Sequence, residues 1–236
     1  MYNQYSRKRR KQLEHYFRAL SSLGISGLLS NHYMRYEFQK YERFTRNFLM
    51  RSTLKSMNIT GRDSLMDKIR WLLEDGLREE YKAFYNRLFF LSDEAKRQTV
   101  EAAKDDPDYG RLAVVYKTMR ELPSAEIGAM GGGQAILLCR IGQAYGYLTK
   151  EEAWSLKIEA AAHLQSLYDN WSDYFVGFAV GSHFSINDHE YKRFADVRNQ
   201  ARSLLVSGTT AERLVWHQDL NPDLGAAQDT PKSLSV

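Results

Sequence analysis

The chain has one cysteine, Cys139, and only four prolines in 236 residues. A lone cysteine closes no internal disulfide, so packing must hold the fold, and a reducing compartment is expected. No apolar run approaches the ~20 residues that a membrane-spanning helix needs. Near the start, Leu20–Leu29 is broken by Ser21, Ser22, Gly24, Ser26 and Gly27. That denies a secretory signal its continuous apolar core, so a cytoplasmic location is expected.

Strand signals are scarce too. No Asn-Gly or Asp-Gly turn sits between alternating apolar runs, and Asp75-Gly76 falls between helical patterns. Catalytic and cofactor signatures are also missing. The six histidines are His15, His32, His163, His183, His189 and His217. No two of them have the spacing, with a glutamate between, that marks a zinc helix. Gly131–Gly133 suggests a phosphate cradle, but no Lys-Ser/Thr follows and no strand pattern precedes. The triple glycine therefore reads as close helix packing or a helix break. Cys139 lies in the apolar run Ile136-Leu137-Leu138 and reads as a small buried hydrophobe. Glu151-Glu152 sit in a helix's first turn, where capping and the helix dipole explain them. The sequence thus offers no catalytic set, no metal-binding signature of known spacing and no cofactor.

What remains is 43% apolar and 26% charged residues, ordinary for a soluble globular protein long enough to bury a sizeable core. The pattern is helical nearly throughout. Its centre is residues 131–154: a small-residue helix, a Gly-Tyr-Leu turn, and a second helix with Thr149 at its N-cap and Glu152 three residues on. Those two side chains are the ingredients of a capping box. Gly146 suits the end of the first helix. Around this centre the spacing predicts helices over 12–23 and 31–51. It also predicts one with Leu65, Ile69, Leu72 and Leu73 inward. The next carries Leu77, Tyr81, Phe84, Tyr85, Leu88 and Phe89 inward. Others begin at Ser92 and at Asp108, span 112–122 up to Pro123, and begin again at Trp171. Gly177 and Gly181 lie four apart there, which favours a close neighbour. A last helix is predicted from Asn187 to about Ser207. The fold class is all-α: a single multi-helix domain over 52–217, a basic aromatic helical arm over 1–51, and a disordered tail over 218–236 rich in small and polar residues.

Charge is uneven. Residues 1–51 hold 11 Lys and Arg against 3 Asp and Glu, and the remainder is acidic. Arg7, Lys8, Arg9, Arg10 and Lys11 form a cluster able to meet phosphates. Farther along, Tyr33, Tyr36, Tyr41, Phe44 and Phe48 fall near one helix face, with Arg35, Lys40, Arg43 and Arg46 between them. Aromatics among bases can stack on nucleic acid, but a stripe at this spacing also docks on a core or a partner helix.

Residues 144–154, Ala-Tyr-Gly-Tyr-Leu-Thr-Lys-Glu-Glu-Ala-Trp, with Ala161, Gln165, Trp171, Phe178 and Gly181, resemble a bacterial family known as domain of unknown function number twelve sixty-six. Asn58-Ile59-Thr60 and Leu72-Leu73-Glu74-Asp75-Gly76 extend the resemblance to about 57–195. It implies a bacterial helical domain with no assigned activity. Family members carry a Trp-Asp pair with an Arg three residues after the Asp. Here those positions are Met130, Gly131 and Gln134, while a second family arginine is kept as Arg140.

Three functional expectations follow. The first is a non-catalytic module that binds a protein partner, with Arg7–Lys11, Tyr36 and Arg43 as candidate surface. The second is nucleic-acid binding through the same arm. The third is a small-molecule enzyme whose pocket gathers Arg140, Tyr147, Trp154, Trp171 and His183. His183 and His189-Glu190 also stand as a weak metal pair.

Overall fold

The structure, a computed structural model, describes residues 2–25, 32–33, 36–38, 43–122, 127–192, 197–202 and 215–223, with only the backbone of 43–49. Among the described residues there are no strands. The helices are α1 (Arg7–Ser21), α2 (Arg43–Ser56), α3 (Arg62–Glu74), α4 (Arg78–Phe89), α5 (Asp93–Ala102), α6 (Tyr109–Thr118), α7 (Gly128–Tyr145), α8 (Lys150–Leu167) and α9 (Trp171–Ser185). Residues 197–202 are helical as well.

Helix α7 is the centre. It buries every residue from Gly128 to Gly142 except Gln134. A helix apolar all round must be walled on every side, and α3, α8, α9 and α1 supply the walls. The triple glycine makes this possible. Successive residues turn by about 100°, so each glycine faces a different neighbour. A Cβ on Gly131 would strike the Leu72 carbonyl of α3. One on Gly132 would lie 2.6 Å from Leu164 of α8. One on Gly133 would meet the Tyr174 hydroxyl and Phe178 of α9 and the Leu20 carbonyl of α1. Gly181 does the same from the other side, where a Cβ would lie 2.8 Å from that of Met130.

One end of α7 is closed from a distance and the other locally. At its N-terminus no side chain caps from Ile127; the Tyr168 hydroxyl accepts from the Ala129 amide instead, at 2.8 Å. At its C-terminus Gly146 adopts φ +78°, and the Tyr147 amide reaches back to the Gly142 carbonyl at 2.9 Å. That is a Schellman closure, which glycine permits without strain. The predicted capping box follows: Thr149 Oγ1 accepts from the Glu152 amide at 3.2 Å and Glu152 accepts from the Thr149 amide at 2.8 Å.

Among the described residues, buried apolar side chains form two clusters. The larger joins α1, α3, α7, α8 and the start of α9. The smaller joins α4, α5, α6 and the end of α9 through Tyr81, Leu88, Leu112, Val115, Val180 and Phe184.

Several expectations are corrected. Helix α1 is no arm standing off a domain: Leu13, Tyr16, Phe17, Ala19 and Leu20 are fully buried in the larger cluster. The stripe over 31–51 divides, with Tyr33 buried and Tyr36 half exposed. The side chains of Tyr41, Phe44 and Phe48 lie outside the described residues. Phe89 points out rather than in, because Leu88, Phe89, Phe90 and Leu91 cannot share one helix face. Helix α6 starts at Tyr109, directly after the start signal at Asp108, but gives way to turn at Met119 instead of running on to Leu122. Asn187 starts no helix of its own. It sits at φ +58°, and its side chain accepts from the Arg111 amide at 2.7 Å and donates to the Pro107 carbonyl at 2.8 Å. It thereby caps α6 from across the fold, where Asp108 does not. Finally, 218–223 are ordered against α1 instead of belonging to a tail, while 224–236 lie outside the described residues.

Gly131→Ala should lower stability by ~2 kcal/mol, the cost of overpacking less the gain in helix propensity. That shifts Tm down by roughly 4–8 °C. Gly61→Ser, where a Cβ meets nothing within 4 Å, should leave Tm unchanged or slightly raised. Thermal denaturation of both variants checks the comparison.

Candidate functional site

The most unusual chemical feature of the interior is a charge network between α7, α8 and the N-terminal residues. Arg140 is only 2% exposed. Its Nε donates to Glu37 Oε2 at 3.2 Å, and its Nη1 to Ser21 Oγ at 2.8 Å. Its Nη2 donates to the carbonyls of Tyr33 at 2.8 Å and Tyr36 at 3.3 Å. The guanidinium also lies 4.8 Å from the Phe38 ring centroid. Arg18 reaches the other Glu37 oxygen at 3.4 Å. One helical turn before Arg18, Glu14 takes a hydrogen bond of 2.9 Å from the buried Lys157 ammonium. Burial works against the ionised form of Glu37. The charges of Arg140, Lys157 and Arg18 outweigh it and hold the carboxyl below its usual range.

Chemically, this network anchors. Arg140 already makes four hydrogen bonds within the chain, so an incoming anion would have to displace them. Sequence reasoning picked out Arg140 but missed its partners. The available signal was the scarcity of acids in residues 1–51: Glu14, Glu37 and Glu42 are the only three, and the first two face inward.

The other residues of the expected pocket are not brought to Arg140. Trp154 packs in α8 against Tyr2, Tyr5 and Phe17, with ring centroids 5.1–5.5 Å apart. Trp171, at the start of α9, meets Tyr16 at 5.8 Å and Trp216 at 5.0 Å. Tyr147 is half-buried beside Tyr145, 5.8 Å away. His183 is buried at the far end of α9, its Nδ1 3.1 Å from Asp188 Oδ2 and its ring 4.6 Å from Tyr191. His189 does not join it: its ring packs on Tyr109 at 4.9 Å and its carbonyl accepts from Lys117. A cavity of about 150 Å³ does exist beside Tyr33, Phe38, Met50, Leu137 and Ile141, and none of the five residues lines it.

Of the basic cluster, Arg7, Lys8 and Lys11 are exposed. Arg9 pairs with Asp219 at 2.6 Å, and Arg10 lies over the Tyr2 ring at 4.5 Å. The side chain of Arg43 lies outside the described residues. Cys139 is fully buried, and burial pushes its thiol up to about 12, which leaves no thiolate near neutrality. Among the described residues no group of three or more His, Cys, Asp or Glu is placed to hold a metal ion. No described helix is long and apolar enough to cross a membrane.

Comparison with known proteins follows the same lines. A family model described as "Protein of unknown function (DUF1266)" matches residues 55–218, well over half of the chain. The uncharacterized protein YbeR of Escherichia coli (strain K12) is 29% identical over 132 residues, 55% of this chain and 54% of that protein. The match thus spans about half the length of that relative. No solved structure matches the chain.

The Glu37 network sets a pH dependence. A carboxyl held below its unfolded value contributes stability that is fully present above the usual glutamate range and is lost as pH falls through the folded value. The Glu37 side chain keeps 39% of its exposure, so Glu37→Gln should cost only about 1–2 kcal/mol near neutrality. The gap between wild type and variant should close as pH drops below the usual carboxylate range. Urea denaturation at a series of pH values measures it, and a gap independent of pH would contradict the assignment.

Proposed function

This chain belongs to the DUF1266 family of proteins of unknown function, and from that premise we propose that it is a protein-binding module without catalytic activity of its own. The observation that carries the reading is the tip of α4. Phe90 is 86% exposed and Phe89 49%. Phe89 stacks on Tyr85 at 5.3 Å, and Phe90 meets Phe89 edge-on at 5.1 Å. Aromatic side chains held together in water have large area to bury and are enriched at the centres of protein interfaces. Support also comes from the interior: Arg140, Trp154, Trp171 and His183 are each engaged in separate packing, which leaves no shared pocket for a substrate.

A second reading keeps nucleic acid as the partner, through Arg7, Lys8 and Lys11, which stay exposed, with Tyr36, 51% exposed, as a stacking platform. Arg9 is already neutralised by Asp219, so about three phosphate contacts are available. Affinity for duplex DNA should then fall by a log–log slope of about 2.7 in salt. Binding that is absent or indifferent to salt removes this reading.

The leading reading is tested at α4. In affinity capture from nuclease-treated bacterial lysate, a protein retained by wild type should be lost from Phe89→Ser/Phe90→Ser. Both residues are exposed, so the fold should be kept, as circular dichroism would verify. Equal retention by wild type and the double variant would remove α4 as the binding surface.

A further inference from the structure

Residues 215–223 form neither helix nor strand. They lie across α1, α8 and the start of α9. Trp216 fills a slot walled by Tyr16, Trp171 and Tyr174, at centroid distances of 6.4, 5.0 and 5.4 Å. The indole N–H donates to the Tyr168 carbonyl at 2.5 Å. The Gln165 amide donates to the carbonyls of both Trp216, at 3.2 Å, and Gln218, at 3.1 Å. The Tyr5 hydroxyl donates to the Leu220 carbonyl at 2.8 Å, and the Asp223 amide donates to the Gln4 carbonyl at 3.1 Å. Arg9 pairs with the Asp219 carboxylate and also donates to its carbonyl.

The groove therefore grips main-chain groups at five places and engages four side chains: the Trp216 indole, the buried Gln218 amide, whose oxygen accepts from Gln12, and the carboxylates of Asp219 and Asp223, which meet Arg9 and the Ser6 amide. Recognition of extended peptides works this way: main-chain hydrogen bonds supply grip, and side-chain pockets supply selectivity. A segment that served only to finish a core would need apolar side chains along its length. Here Trp216 is the one fully inserted apolar side chain, while Leu220 is only partly buried at the edge of the larger cluster and Val215 is exposed.

We propose that this groove is a peptide-binding site, occupied in cis by the chain's own residues 215–223, and that its ligand in trans is an extended segment of a partner protein with a Trp and an acidic residue three positions on. The cis segment acts as a tethered competitor. Tethering gives it a high effective concentration, and a trans peptide binds only through the fraction of molecules whose groove is open. The site is separate from the Phe89–Phe90 tip, so either can fail without the other.

The test uses the full chain and a fluorescein-labelled peptide copying residues 215–223, read by fluorescence anisotropy. Trp216→Ala removes the anchor of the cis segment but leaves the slot intact. This variant should bind the peptide at least roughly tenfold more tightly than wild type, and a peptide with Ala in place of its Trp should bind neither protein. If circular dichroism shows Trp216→Ala unfolded, Asp219→Asn takes its place. Asp219 is exposed, its replacement breaks the ion pair with Arg9 and otherwise touches only the local bonds from Asn221 within the same segment, and a severalfold gain is expected. A folded variant that binds no more tightly than wild type overturns the proposal. So does equal binding of the Ala-substituted peptide.

Discussion

The structure depends on one constraint: α7 has no face for water. From Gly128 to Gly142 only Gln134 escapes burial, so every side of the helix must find protein. Three glycines in a row admit three walls at backbone distance, α3 at Gly131, α8 at Gly132, and α9 with α1 at Gly133. Glycine inside a helix costs about 0.5–1 kcal/mol relative to alanine at each position. The close packing of four neighbours offsets that cost. It also decides the fate of the N-terminal residues. The groove over Gly133 is partly closed by the Leu20 carbonyl, so α1 completes the core instead of decorating it.

The same helix carries Arg140 inside, and a buried guanidinium costs several kcal/mol in lost hydration unless its donors are satisfied. Its partners come from Ser21, Tyr33, Tyr36 and Glu37, all in the first 51 residues. Lys157 of α8 makes the matching demand on Glu14. Two buried cations of the domain are thus answered by acids of the basic segment. This turns the charge count around. The excess of Lys and Arg over 1–51 looks like an arm offered to an outside anion. Yet two of its three acids are spent inward and Arg18 is buried beside them, so the segment is as much a lining as a surface.

Local signals carried much of this architecture in advance. The capping box at Thr149 and Glu152, the Gly146 terminus and the Ser92 cap depend on neighbours within four residues, and they formed where the pattern placed them. The close approach implied by the triple glycine and by Gly181 was readable for the same reason: a missing side chain is visible in sequence, even though the neighbour that uses the space is not. Non-local pairings were not readable. Asn187 looked like a cap for its own helix and instead caps α6, because the missing side chain at Gly110 in the first turn of α6 lets Asn187 come up against that N-terminus. Gln218 looked like the start of a tail, and Trp216 like the weakly patterned end of the domain before it. Nothing near them in sequence announces the slot of Tyr16, Trp171 and Tyr174, which is assembled from α1 and α9. The pocket expected around Arg140 failed on the same ground, since large aromatic and ionisable residues say that something is buried and not what they are buried with.

Gly131 marks where the chain departs from the pattern that the family resemblance leads one to expect. Where relatives are expected to carry an aspartate and, three residues on, an arginine, this chain has Gly131 and Gln134. A Cβ at 131 would strike the Leu72 carbonyl, so an aspartate cannot stand there while α3 and α7 lie this close. Close approach of α3 and α7 at Gly131 and an acidic side chain at that position therefore exclude one another. Whatever that pair does elsewhere, the interior at this point is closed here. On the proposed reading, recognition falls to the aromatic tip of α4 and to the groove that holds Trp216.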